Sequence, residues 1–110
     1  MVEKKVVEKI EKFVKALRRE KINIAKVILY GSRASGESHE YSDIDVAVVS
    51  PDFGKDRFEE GAQLFKIACK IDSLIEPVPI SLESYEKDTW IPLIYEIREN
   101  GVELETMASV

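Results

Sequence analysis

The spacing of apolar residues changes from a helical to an extended period within the first half of the chain, and this restricts it to mixed helix and sheet. Val2, Val6, Val7, Ile10, Phe13, Val14 and Leu17 recur at steps of three and four. Residues 2–19 therefore form a helix with one apolar stripe, Lys and Glu filling its other faces, and such a stripe packs on a sheet. Ala25-Lys26-Val27-Ile28-Leu29-Tyr30 then reads as a strand, nearly all apolar, that stops at Gly31-Ser32. Residues 33–42 are polar and hold Gly36, which makes them a loop with one helical turn after Ser32. Ile44 to Val49 is the next strand, ended by Ser50-Pro51-Asp52.

The second half repeats the alternation. Residues 56–71 read as a helix, with Phe58, Phe65, Ala68, Cys69 and either Leu64 or Ile71 expected on its buried side. Residues 74–80 form a short strand carrying Pro77 and Pro79, which remove two donors from the same side, so this strand belongs at an edge. Pro92 suits the first turn of a helix over 92–98, Asn100-Gly101 stops it, and residues 102–104 add a final strand. Tyr85, Trp90, Leu93 and Tyr95 cluster late and are expected in packing, with part of that surface open to a partner. The fold class is α/β (α+β): a small mixed sheet of three to four strands with helices packed mainly on one face. One domain is expected over 1–110, its core at about 5–105 and a loose tail at 106–110.

Composition narrows the function. A net charge of −5 with pI near 5.0, and no dense Lys/Arg run beyond a mildly basic first helix, disfavours an extended nucleic-acid footprint. A single cysteine, Cys69, forms no intrachain disulfide, and its apolar neighbours point to a buried thiol rather than a nucleophile. The N-terminus lacks the apolar core of a signal peptide, and no apolar run approaches the ~20 residues of a membrane span. A cytoplasmic location is expected. His39, the only histidine, sits in the polar loop and reads as a surface residue.

Chemistry concentrates where the two strands meet the loop. A strand ending in Gly31-Ser32 turns tightly without a Cβ to block a ligand, and the N–H groups of such a turn suit phosphate. Ten residues later come Asp43-Ile44-Asp45. On a strand, residues i and i+2 share a face, roughly 6.5–7 Å apart. Aspartate is depleted in strands, and two on one face repel each other unless a cation lies between them. Hard oxygen ligands on a rigid element suit Mg²⁺, with Mn²⁺ as a substitute. The competing reading of Ser42-Asp43 is a simple cap or turn. Arg33 has the fork of donors to neutralise phosphate, or equally to pair with a carboxylate.

Taken together, Leu29-Tyr30-Gly31-Ser32-Arg33-Ala34-Ser35-Gly36 and Tyr41-Ser42-Asp43-Ile44-Asp45-Val46-Ala47-Val48 resemble the signature of the DNA polymerase β-like nucleotidyltransferase superfamily. More narrowly, the chain resembles the minimal nucleotidyltransferases (MNT), which consist of the catalytic palm alone. The resemblance implies that Gly31 and Ser32 hold a nucleoside triphosphate, ATP, and that Asp43 and Asp45 bind metal. It also implies a third carboxylate on a later strand. Glu76 in Leu74-Ile75-Glu76-Pro77 is the matching position, as metal ligand and acceptor of the attacking hydroxyl's proton, with Asp72 as competitor. Two-metal transfer of a nucleoside monophosphate to an acceptor hydroxyl follows from the resemblance.

The resemblance further implies a helical HEPN-type partner in a toxin–antitoxin pair, where some members attach AMP to a tyrosine of that partner. The alternative is a catalytically weak module that neutralises such a partner by binding. A homo-oligomer is compatible with the sequence. A dinucleotide binder is disfavoured because no Gly-x-Gly-x-x-Gly follows the first strand.

Overall fold

The computed structural model describes residues 2–104. Helix α1 (Lys4–Arg19) buries Val6, Ile10, Phe13, Val14 and Leu17, the stripe expected from their spacing, and ends with Arg18 and Arg19 at its negative pole. Strand β1 (Lys26–Tyr30) runs into the four-residue helix α2 (Ser32–Ser35), and β2 (Ile44–Ser50) returns antiparallel to β1. Helix α3 (Arg57–Ile71) then crosses over to β3 (Ile75–Ser81), which lies parallel to β2. A parallel pair needs such a crossover, because its strands start at the same end of the sheet. Two short helices, α4 (Leu82–Lys87) and α5 (Pro92–Asn100), precede β4 (Val102–Glu103), which pairs antiparallel with β1.

The mixed sheet has the order β3-β2-β1-β4. Strand β3 with its two prolines is an edge, as their missing donors require. Period-two alternation sends the central strands into two cores. Val27, Leu29, Ile44, Val46 and Val48 pack with α1 and α3, while Ile28, Ala47 and Val49 pack with Tyr85, Ile94 and Ile97 of α4 and α5. The two long helices thus share one face, and the short pair covers part of the other.

Two expectations about buried residues fail. On α3 the sheet receives Leu64, Ile67 and Ala68, whereas Phe58, Phe65 and Cys69 are exposed. The helix carries two apolar stripes, and single-sequence periodicity does not say which one meets the sheet. Late in the chain Tyr85 is buried, but Trp90 is 78% and Tyr95 58% exposed. Helix α4 has no counterpart in the sequence reading. Its start is set by the Ser81 hydroxyl, which accepts the Ser84 N–H at 3.1 Å. The expected tail at 106–110 lies outside the described residues. Among the described residues no helix is long and apolar enough to cross a membrane.

Candidate active site

The end of β1 turns sharply. Gly31 has φ 74° and ψ −154°, a conformation open in practice only to glycine, and its carbonyl accepts the N–H groups of Ala34 and Ser35 at 3.1 Å each. A second constraint acts on the same residue: a Cβ built there would collide with the Asp45 carboxylate. Gly31 therefore serves both the turn and the neighbouring acid. The N–H groups of Ser32 and Arg33, the first two of α2, lack acceptors within the helix, as at any helix start.

Strand register supplies the rest. Tyr30 pairs with Asp45 across the antiparallel β1–β2 ladder, and Asp45 pairs with Glu76 across the parallel β2–β3 ladder. Paired residues share a face, so Tyr30, Asp45 and Glu76 form one row over three strands. Asp43, two residues before Asp45, extends the row's central column at the sheet's end. The row lies on the same face as Ala47 and Val49, away from α1 and α3.

Electrostatics reflect this grouping. Partial burial, and then the charge of Asp43, hold the Asp45 carboxyl above its usual range. The Tyr30 hydroxyl is pushed up to about 12, first by burial and then by the charges of Asp45 and Glu76. The Glu76 charge is thus felt at Tyr30, although the Glu76 side chain is exposed. Among the described residues no group of three or more His, Cys, Asp or Glu side chains is drawn together into a ready-made metal cage. The donor set still fits magnesium, which takes one or two carboxylates and leaves its remaining positions to phosphate and water. Asp43 and Asp45 are the neighbouring carboxylates that would serve as that pair.

Arg33 is engaged elsewhere. It is 6% exposed, and its guanidinium donates to the carbonyls of Glu40 at 3.1 Å and Ser42 at 2.9 Å and to the Glu3 carboxylate at 3.3 Å. The fork of donors ties the loop before Asp43 to the start of α1. Asp72, the competitor of Glu76, closes α3: its side chain accepts the Leu74 N–H at 2.8 Å and pairs with Lys9 at 2.7 Å. It stands outside the β2–β3 register. His39 is exposed, and its Nδ1 accepts the Tyr41 N–H at 3.2 Å.

Tyr30 and Glu3 received no role in the sequence reading. Tyr30 stands next to Gly31 in the motif, but its place beside two acids depends on strand pairing. Glu3 meets Arg33 across 30 positions, and no local pattern marks it. A hollow of about 390 Å³ lies at the opposite end of β2 and β3, between the Gly54 loop, Ser81 and α5, and contains none of the acids. The acids are brought together by strand register and not by this hollow.

Comparison with known proteins agrees with this geometry. The nucleotidyltransferase domain model matches residues 7–103. No curated protein matches the chain. Among solved structures, a Sulfolobus solfataricus protein assigned as a nucleotidyltransferase superposes with TM-score 0.69 at 18% identity, over 94% of this chain and 82% of that one, and so shares the fold. A chain of a toxin–antitoxin complex with AMP-PNP superposes with TM-score 0.58 at 26% identity, over 90% of this chain and 75% of that one. A third similar structure is the tri-AMPylated HEPN toxin of Shewanella oneidensis with its MNT antitoxin, with TM-score 0.56 at 24% identity, over 94% of this chain and 75% of the other. With the family model spanning nearly the whole chain, and Gly31 making room for an acid that strand pairing sets beside Glu76, the chain belongs to the nucleotidyltransferase domain family as a minimal nucleotidyltransferase.

Proposed function

We propose that the chain transfers AMP from magnesium-bound ATP to a hydroxyl group on a helical HEPN-type partner protein. The observation that carries this reading is the row Tyr30-Asp45-Glu76, with Asp43 beside it and Gly31 cleared of any side chain. In the reaction the acceptor oxygen bonds to the α-phosphorus, the α–β phosphoanhydride bond breaks, and pyrophosphate leaves. Magnesium, when bound, neutralises the charge on the phosphates and lowers the pKa of the attacking hydroxyl. Asp43 and Asp45 would hold it, and the Gly31-Ser32 turn would receive the phosphates. Glu76 takes the hydroxyl proton, and its exposure leaves it within reach of an incoming acceptor. Arg33 acts at one remove by holding the loop that carries Asp43.

Three observations support a protein acceptor. The net charge of −5 repels a polyanion away from the metal site, whereas a protein hydroxyl meets no such penalty. Trp90 and Tyr95 lie exposed beside and on α5, which packs on the same sheet face as the acids. Related structures include a complex with AMP-PNP, a tri-AMPylated HEPN toxin, and a MntA-HpeT complex in which two aspartates two positions apart are changed to glutamate. Cytoplasmic location belongs to the same reading. Co-expression with the product of the adjacent gene, followed by intact-mass analysis, tests it: with ATP and Mg²⁺ the partner gains the mass of AMP. An unmodified partner that is nonetheless bound and silenced would favour the binding-module alternative.

A further inference from the structure

Helix α3 carries two apolar stripes, and the monomer uses only one. Leu64, Ile67 and Ala68 are buried, whereas Phe58, Ala62, Phe65 and Cys69 are exposed. Phe58 is 85% exposed and Phe65 51%. Steps of four, three and four align these residues on one seam with the spacing of a coiled-coil contact. Scattered exposed apolar residues are ordinary on a protein surface, but a continuous seam bearing two phenylalanines marks a contact site.

We propose that this seam joins two copies of the chain, with their α3 helices antiparallel about a twofold axis. Side-chain size identifies the occupant. An axis midway between Ala62 and Phe65 sets Phe58 of each copy opposite Cys69 of the other, and Ala62 opposite Phe65. Every ring then meets a small side chain, as close packing of facing positions requires. Charge follows the same symmetry. At 100° per residue, Glu59, Lys66 and Lys70 fall on one flank of the seam. The axis brings Glu59 of one copy level with Lys66 and Lys70 of the other. A parallel pair would instead stack Phe58 on Phe58 and Cys69 on Cys69, and would leave the Glu59, Lys66 and Lys70 flanks of the two copies on opposite sides of the contact. The seam is thus self-complementary in the way a twofold contact must be. Because α3 covers the sheet face opposite to the acid row, the pairing leaves that row open.

Sedimentation equilibrium of the full chain over a range of concentrations is the direct test. A reversible monomer–dimer equilibrium is expected, weakened at least about thirtyfold by Phe65→Glu, an exposed position whose substitution leaves the circular dichroism unchanged. Glu59→Lys should weaken pairing, and adding Lys66→Glu and Lys70→Glu should restore it. Orientation is read by mild oxidation. Phe58→Cys should give a covalent dimer through native Cys69, since the two positions are about 16 Å apart within one helix and no intrachain bond can form. The unmodified chain should give none. A chain that stays monomeric at every concentration, with no cross-link in the Phe58→Cys variant, overturns the proposal, whether or not another protein binds α3. Efficient Cys69 cross-linking in the unmodified chain overturns the antiparallel arrangement.

Discussion

The Asp45 carboxylate fills the space that a side chain at Gly31 would need. The Gly31 turn and the central acid are therefore sterically coupled, since a side chain at residue 31 would have to displace the Asp45 carboxylate. Gly31→Ala must adopt φ near 74° and displace Asp45, so it should cost about 2–3 kcal/mol in urea unfolding and abolish nucleotidyl transfer. Ser32→Ala, one residue on, should leave stability intact and weaken only triphosphate binding.

The acids should separate from the scaffold. Asp43→Asn and Asp45→Asn are expected to abolish transfer while unfolding cooperatively at an unchanged or slightly higher melting temperature. The native state holds the Asp45 pKa above its usual value, so the wild type gains stability as pH falls through that raised value and loses it as pH rises. Asp45→Asn removes this dependence and stabilises the metal-free protein near neutrality by at most about 1 kcal/mol, since solvent screens the half-buried carboxyl. A large stability loss in both variants would identify them as structural caps. Glu76→Gln should retain triphosphate binding and lose turnover.

Arg33 offers a test with opposite signs for its two readings. As the tie between the 37–42 loop and Glu3, its loss in Arg33→Ala should cost about 1–3 kcal/mol, because the partly buried carbonyls of Glu40 and Ser42 lose a charged donor. Arg33→Lys should not restore it, since one ammonium cannot reproduce the fork. Unchanged stability together with a weakened triphosphate affinity would instead return Arg33 to the phosphate.

Asp72 and Lys9 should shape the acid limb of stability. Hydrogen bonding to Lys9 and to the Leu74 N–H holds the Asp72 carboxyl below its ordinary value. Its contribution is present above pH 3.8 and is lost as pH falls through the lower native value. Asp72→Asn should cost up to about 1 kcal/mol at neutrality and flatten the thermal melting profile below pH 4.

Metal and nucleotide should act together. ATP with Mg²⁺ at about one hundred times its Kd should stabilise the protein by about 2.7 kcal/mol in calorimetry, and a chelator should remove the effect. Absence of binding with either Mg²⁺ or Mn²⁺ at millimolar concentration would end the enzymatic reading.

Local chemistry made much of this protein legible in its sequence. The stripe of α1 needs only a period of 3.6, the end of β1 only a Gly-Ser turn, and the edge position of β3 only two prolines that cannot donate. Asp43 and Asp45 stood out because aspartates on one face of an apolar strand are costly without a reason. Other features depend on partners distant in sequence. Two stripes on α3 were equally apolar, and the sheet took Leu64 and Ala68 while leaving Phe58, Phe65 and Cys69 outside. Tyr30 became a neighbour of Asp45 and Glu76 through strand register, and Arg33, suited equally to phosphate or to a carboxylate, hydrogen-bonds to Glu3, Glu40 and Ser42. Backbone preference and hydrophobic period act within a few residues, so the sequence alone determined the acids and every element but α4. Pairing and burial join residues far apart in the chain, so only the tertiary structure decided which faces meet and which charged groups share a site.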